Sequence, residues 1–111
     1  MTRPPQHLLD WFHLAMRLQR LRQFLVGLTH LDLAVGTQML TALERTKWSL
    51  WHGKAKQAYE WFREVEWRIW QFGSQYPKFS ALARAVNEFQ RYIEHNAHTI
   101  PDYGARWRAA R

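Results

Sequence analysis

Apolar residues three and four positions apart recur along most of this chain, and this spacing restricts it to a helical fold. The clearest case is a ladder of five leucines: Leu14, Leu18, Leu21, Leu25 and Leu28. An α-helix completes a turn every 3.6 residues, so the five leucines lie on one face. Apolar–polar alternation, which marks a half-buried strand, is nearly absent. Only Leu8-Leu9 is short and apolar enough to be the stub of a strand.

Three further stretches show the same period. The second runs from about Gly36 to Trp51 and is followed by Gly53, at the position where glycine ends helices. Lys47 interrupts its apolar stripe, whose inward residues are Leu40, Leu43 and Leu50. The third stripe is unbroken and consists of Ala55, Ala58, Phe62, Val65, Ile69 and Phe72. The fourth opens near Pro77 and consists of Phe79, Leu82, Val86, Phe89 and Ile93.

The fold class predicted from these stretches is all-α, a small bundle of about four helices. Short connections favour antiparallel neighbours. We expect a flexible N-terminus over residues 1–6, a helical domain over 7–101 and a basic flexible tail over 102–111.

The amino-acid composition restricts the size of the core and the cellular compartment that we expect for this bundle. Of 111 residues, 47% are apolar and seven are tryptophan, enough for one modest core. Cysteine is absent, which excludes disulfides and thiolate metal sites. No apolar run reaches the roughly 20 residues that span a bilayer, and no secretory signal pattern opens the chain. We therefore expect a cytoplasmic protein with no membrane contact.

The formal charge of +7 favours contact with nucleic-acid phosphates, since basic side chains release counterions on binding. The first helix carries Arg17, Arg20 and Arg22, with no acidic residue between Asp10 and Asp32. These arginines either track phosphates or form an ordinary solvated face. The tryptophans likewise have three interpretations: stacking on unpaired bases, filling the core, or packing on a partner.

Several classes of chemistry find no support in the sequence. The six histidines lack the spacing of a helical zinc site, although His95 and His98 are three residues apart. No serine sits in a glycine-rich elbow, and no phosphate-binding glycine loop is present. An ordinary hydrolase or nucleotide-binding enzyme is therefore not expected.

The sharpest local pattern is the segment Leu8-Leu9-Asp10-Trp11-Phe12-His13. A carboxylate after a short apolar run is how phosphoryl-transfer sites present a ligand for two divalent cations. An aspartate at this place is equally a common helix N-cap.

Ordered short matches along the chain resemble bacterial insertion-sequence transposases of the ISKra type, which are DDE enzymes with an RNase H-like catalytic fold. The first is the string around that family's second catalytic aspartate, and four more follow in order over roughly residues 6–108. The five are His7-Leu-Leu-Asp10-Trp-Phe-His13-Leu-Ala-Met-Arg17, Lys47-Trp-Ser-Leu-Trp-His-Gly-Lys54, Tyr76-Pro-Lys-Phe79, Tyr92-Ile-Glu-His-Asn96 and Ile100-Pro-Asp-Tyr-Gly104.

The resemblance implies that Asp10 is the second of three metal-binding carboxylates for Mg²⁺, with His13 beside it. The remainder resembles the helical insertion that follows, which in such enzymes contacts transposon ends. Leu8-Leu9, a strand in the parent fold, has no partner strand here and is expected to join the first helix, with Pro4 and Pro5 marking its start. We expect the DNA contacts from basic and aromatic side chains: Arg17, Arg20, Arg22, Lys47, Lys54, Lys56, Trp48 and Trp51.

The family's first aspartate and its glutamate have no counterpart in this chain. The leading hypothesis is therefore a truncated transposase fragment with weak, salt-dependent and largely non-specific DNA binding, catalytically incomplete, with no bound metal of its own. It could also associate with full-length transposase or with itself. The alternatives are a stand-alone helical protein-interaction module without a nucleic-acid role, and an enzyme subunit completed by other chains.

Overall fold

The computed structural model describes residues 6–110 and contains five α-helices and one short 3₁₀ turn. They are α1 (Gln6–Thr29), α2 (Leu33–Trp51), α3 (Ala55–Phe72), the 3₁₀ turn (Gly73–Gln75), α4 (Phe79–Asn96) and α5 (Tyr103–Ala110). No strand occurs within these residues. The all-α prediction is confirmed. Residues 1–5, with the predicted helix start at Pro4 and Pro5, lie outside the described part.

The first four helices form an up-and-down bundle. Each helix packs on the next, and α1 also packs on α4, which closes the bundle. The described chain measures 47 × 29 × 21 Å along its principal axes. Since α1 includes positions 8 and 9, the two leucines are absorbed into the first helix as expected.

The predicted stripes form the core. All five leucines of the α1 ladder are buried, as are Phe62 and Ile69 of α3 and Leu82 and Phe89 of α4. Phe72, the last position predicted for the third stripe, lies outside the described side chains. In α2, Leu43 and Leu50 are buried as predicted, whereas Leu40 is only half-buried; the buried face is wider than predicted and also includes Val35, Met39, Ala42 and Thr46. The reason is that α2 packs against both α1 and α3.

Both ends of α2 are fixed by local hydrogen bonds. Asp32 is the N-cap, and its Oδ1 accepts a hydrogen bond from the Val35 N–H at 3.0 Å. At the other end the N–H groups of Gly53 and Lys54 donate to the carbonyls of Leu50 and Ser49, at 3.0 and 2.8 Å. This is a Schellman motif, and it requires the left-handed backbone that Gly53 adopts with φ +71°. The predicted helix stop at Gly53 is confirmed.

A fifth helix occupies the segment that the sequence predicted as a tail. The helical part thus extends past residue 101, because Tyr103 is 2% exposed and anchors α5 against α1 and α2. The tilted rings of Trp11 and Tyr103 lie 5.1 Å apart between centroids. Asp102 caps the helix, since its Oδ1 accepts from the Ala105 N–H at 2.9 Å. The sequence did not predict α5 because its eight residues are too few to show an apolar helical period. The buried side chain that anchors it is Tyr103.

Candidate nucleic-acid interface

A shallow groove between α1 and α4 combines basic and aromatic side chains. Its walls form two adjoining pockets of about 260 and 230 Å³, and Arg20 lines both. We define the α1–α4 groove by the residues that carry its charge and its rings: Arg17, Arg20, Phe24, Tyr76, Lys78 and Glu88. Three cations and one carboxylate give a formal charge of +2. Such a groove suits a phosphate backbone.

Helix geometry places the two arginines together. Arg17 and Arg20 are three residues apart and therefore share the flank of α1 that faces α4. The Arg17 guanidinium carbon lies 5.1 Å from the centroid of the Tyr92 ring on α4, a cation–π contact that orients this side chain. Both arginines are exposed, so their remaining N–H groups are accessible to an anion.

The far end of the groove has an aromatic floor. Phe24 and Tyr76 are half-buried and line the pocket with Arg20 and Lys78. The tyrosine hydroxyl lies so close to α1 that a Cβ at Gly27 would be 2.5 Å from it. Glycine at 27 therefore allows the Tyr76 ring to lie against α1. Ring faces beside basic groups are a known platform for unpaired bases.

Arg22 does not join the other two arginines. Five residues separate it from Arg17, a rotation of about 140° around the helix axis, which turns it toward α2. There it lines a groove with Lys47 and Glu44. Trp48, beside this groove, is 47% exposed, and its Nε1 donates a hydrogen bond to Glu44 at 3.0 Å. The three arginines that the sequence predicted as one basic face thus lie on two different sides of α1.

The remaining predicted DNA contacts lie elsewhere. Lys54 and Lys56 are exposed at the turn between α2 and α3. Trp51 is half-buried, with its ring centroid 4.8 Å from that of Trp11 and 6.4 Å from that of Tyr103. Trp51 lines neither pocket of the α1–α4 groove, so it is not part of this interface.

Asp10 and His13 are both exposed, one turn apart at the start of α1. Among the described residues no group of three His, Asp or Glu side chains is arranged to hold a metal ion. Two-metal phosphoryl transfer needs several converging carboxylates, so this donor set does not fit such a centre on its own. The negative charge of Asp10 contributes to the raised pKa of two tyrosines, Tyr92 and Tyr103.

Burial raises the pKa of Tyr103 to about 12; an ionised Tyr92 and the Asp10 carboxylate act in the same direction, and the Arg106 charge opposes them. Burial likewise raises the pKa of Tyr92, where the Arg17 charge opposes it and the Asp10 charge adds to it. Both tyrosines are thus held in the neutral form well above neutral pH.

The raised pKa of Tyr103 predicts a loss of stability in alkali. The folded-state value of about 12 exceeds the ordinary value of about 10, so the stabilisation is complete below pH 10 and disappears as the pH rises to 12. Urea unfolding of the wild type and of Tyr103→Phe between pH 9 and pH 12 measures this. The wild type should lose stability relative to the variant as the pH rises. Parallel pH profiles would contradict the assignment.

Lys78, Tyr76 and Phe24 are groove residues that the sequence did not mark as DNA contacts. Tyr76 and Lys78 belong to a string that carries the family resemblance, and Phe24 lies within the leucine ladder of α1 but off its buried face. The exposed Arg106 and Arg108 of α5 were assigned to the tail. The signals for Lys78 were its place beside Pro77, at the predicted start of the fourth helix, and its position in that string.

Comparison of the chain with protein-family models, curated proteins and solved structures gives no match. None of the helices in residues 6–110 combines the length and the apolar character required to cross a membrane.

Proposed function

We propose that the chain is a helical fragment of an insertion-sequence transposase that binds nucleic acid through its phosphates. The observation that carries the binding proposal is the α1–α4 groove, where Arg17, Arg20 and Lys78 stand beside two half-buried rings. The net charge of +7 supports it, because electrostatic attraction supplies most of non-specific affinity. The transposase origin rests on the ordered resemblance in sequence.

The same proposal includes catalytic incompleteness. Asp10 would serve as a metal ligand only in a complete site, with the other carboxylates supplied from outside this chain. Within the chain we assign it no chemical step. Binding, rather than cutting or joining, is the activity proposed for this part of such an enzyme.

The test is fluorescence-anisotropy titration of labelled duplex and single-stranded DNA with the purified chain. For three phosphate contacts on duplex DNA, the slope of log affinity against log salt concentration should be near −2.7. This corresponds to about a 40-fold loss of affinity between 50 and 200 mM salt. Stacking on Phe24 and Tyr76 would add affinity for single strands. Absence of binding at low salt would overturn the proposal.

A second candidate function, a protein-interaction module, is favoured by a different observation. Trp67 and Trp70 on α3 are 61% and 72% exposed, among carboxylates that repel phosphates. Tryptophan is enriched among the residues that dominate protein interfaces. Binding that barely responds to salt would favour this candidate.

A further inference from the structure

The most exposed tryptophans of the chain lie on a surface of opposite charge to the rest of the molecule. Trp67 and Trp70 line a groove of about 450 Å³ on the outer side of α3. We call this surface the Trp67–Trp70 face; its other lining residues are Glu60, Arg63, Glu64 and Glu66. Three carboxylates and one guanidinium give −2 on a chain of +7.

This face is suited to a basic, apolar partner. Arg68 at its edge is the only described salt-bridge partner of its carboxylates, with its Nε 3.8 Å from Glu64. Counting the Arg68 guanidinium as well leaves a formal charge of −1, so the face stays acidic. Two large rings at this level of exposure form an apolar patch of the kind that marks interaction sites.

A complementary surface lies on the same chain, between α1 and α2. Phe12 and Met16, four residues apart, are 59% and 69% exposed along one wall. The groove has a volume of about 640 Å³, and its charged lining is Arg22, Lys47 and Glu44, a formal charge of +1. We call it the α1–α2 groove. It thus combines exposed apolar side chains with a net positive charge.

We propose that the Trp67–Trp70 face of one copy docks in the α1–α2 groove of a second copy. The match is in charge, −1 with Arg68 included against +1, and in exposed apolar side chains on both sides. Pairing of two Trp67–Trp70 faces would bring two surfaces of net negative charge together and is disfavoured. The contact is therefore head to tail. After two copies have joined, one face and one groove remain unoccupied, so larger assemblies form as the protein concentration rises. Neither surface contains Arg17, Arg20 or Lys78, so this proposal is independent of nucleic-acid binding.

Sedimentation velocity of the full chain over a range of concentrations tests the proposal. The wild type should gain mass with concentration. Two variants each remove one half of the contact: Trp67→Ala with Trp70→Ala, and Arg22→Glu with Lys47→Glu. Each should weaken self-association about tenfold or more, because the first removes interface anchors and the second places like charges opposite each other. Circular dichroism confirms that both remain helical.

Mixing the two variants gives the decisive result. The tryptophan variant keeps an intact groove and the charge variant keeps an intact face, so only one contact can form between them. The mixture should yield a heterodimer of twice the monomer mass and nothing larger. A wild type that stays monomeric at every concentration, a mixture without heterodimer, or variants that associate like the wild type would each overturn the proposal.

Discussion

Replacing Phe62 by alanine is expected to lower the free energy of unfolding by about 3–5 kcal/mol. The side chain is 1% exposed, and its ring centroid lies 5.1 Å from that of Phe89, in a tilted contact that joins α3 to α4. Its removal loses buried apolar area and leaves a cavity that the surrounding helices only partly fill. Domains of this size are stable by about 5–15 kcal/mol, so the loss is a large share of the total. Urea denaturation followed by circular dichroism measures it.

Trp67→Ala is the matched control for this prediction. It removes a larger aromatic side chain from the same helix, but Trp67 is 61% exposed. Its effect should stay within about 0.5 kcal/mol, the usual range for surface substitutions. Comparable losses in the two variants would contradict the difference in burial between these two side chains.

The second large effect is expected in nucleic-acid binding. Replacing Arg17, Arg20 and Lys78 together by alanine should weaken DNA binding by more than about 40-fold at 50 mM salt, because the three phosphate contacts that set the salt dependence are lost. Arg17 also gives up its cation–π contact with Tyr92, so the fold of the variant is checked by its thermal unfolding. Anisotropy titration with the same DNA measures the change in affinity.

A control of equal charge separates the groove from general electrostatics. Replacing Arg22, Lys54 and Lys56 by alanine removes three positive charges from exposed positions outside the groove. Affinity should fall much less in this variant. Equal losses in the two triple variants would indicate that the whole basic surface attracts DNA without a defined groove.

The bundle was predictable because its core repeats with the helical period. The leucine ladder of α1 and the stripe through Phe62 each specify one buried face by spacing alone, and these faces are the ones buried. Gly53 marked the end of α2 because few other residues adopt its backbone conformation. The width of the α2 core was not predictable, since it depends on which helices pack on its two sides.

The candidate site was less accessible to sequence reasoning. Arg17, Arg20 and Arg22 are close in sequence, yet their separation around the helix axis becomes meaningful only once α2 and α4 occupy the two flanks. Lys78 and Arg20 line one pocket because α1 packs on α4, although the two residues are more than fifty positions apart in sequence. Trp51 shows the converse, because the docking of α5 turns a predicted stacking residue into part of an aromatic cluster.

The central claim, that the α1–α4 groove holds nucleic-acid phosphates, is tested most directly by the salt dependence of binding. The slope of log affinity against log salt counts the phosphates that are neutralised, at about 0.9 per contact on duplex DNA. The account predicts that the slope becomes shallower by about 2.7, to near zero, in the variant lacking Arg17, Arg20 and Lys78, and changes little in the variant lacking Arg22, Lys54 and Lys56. An unchanged slope in the first variant would contradict it.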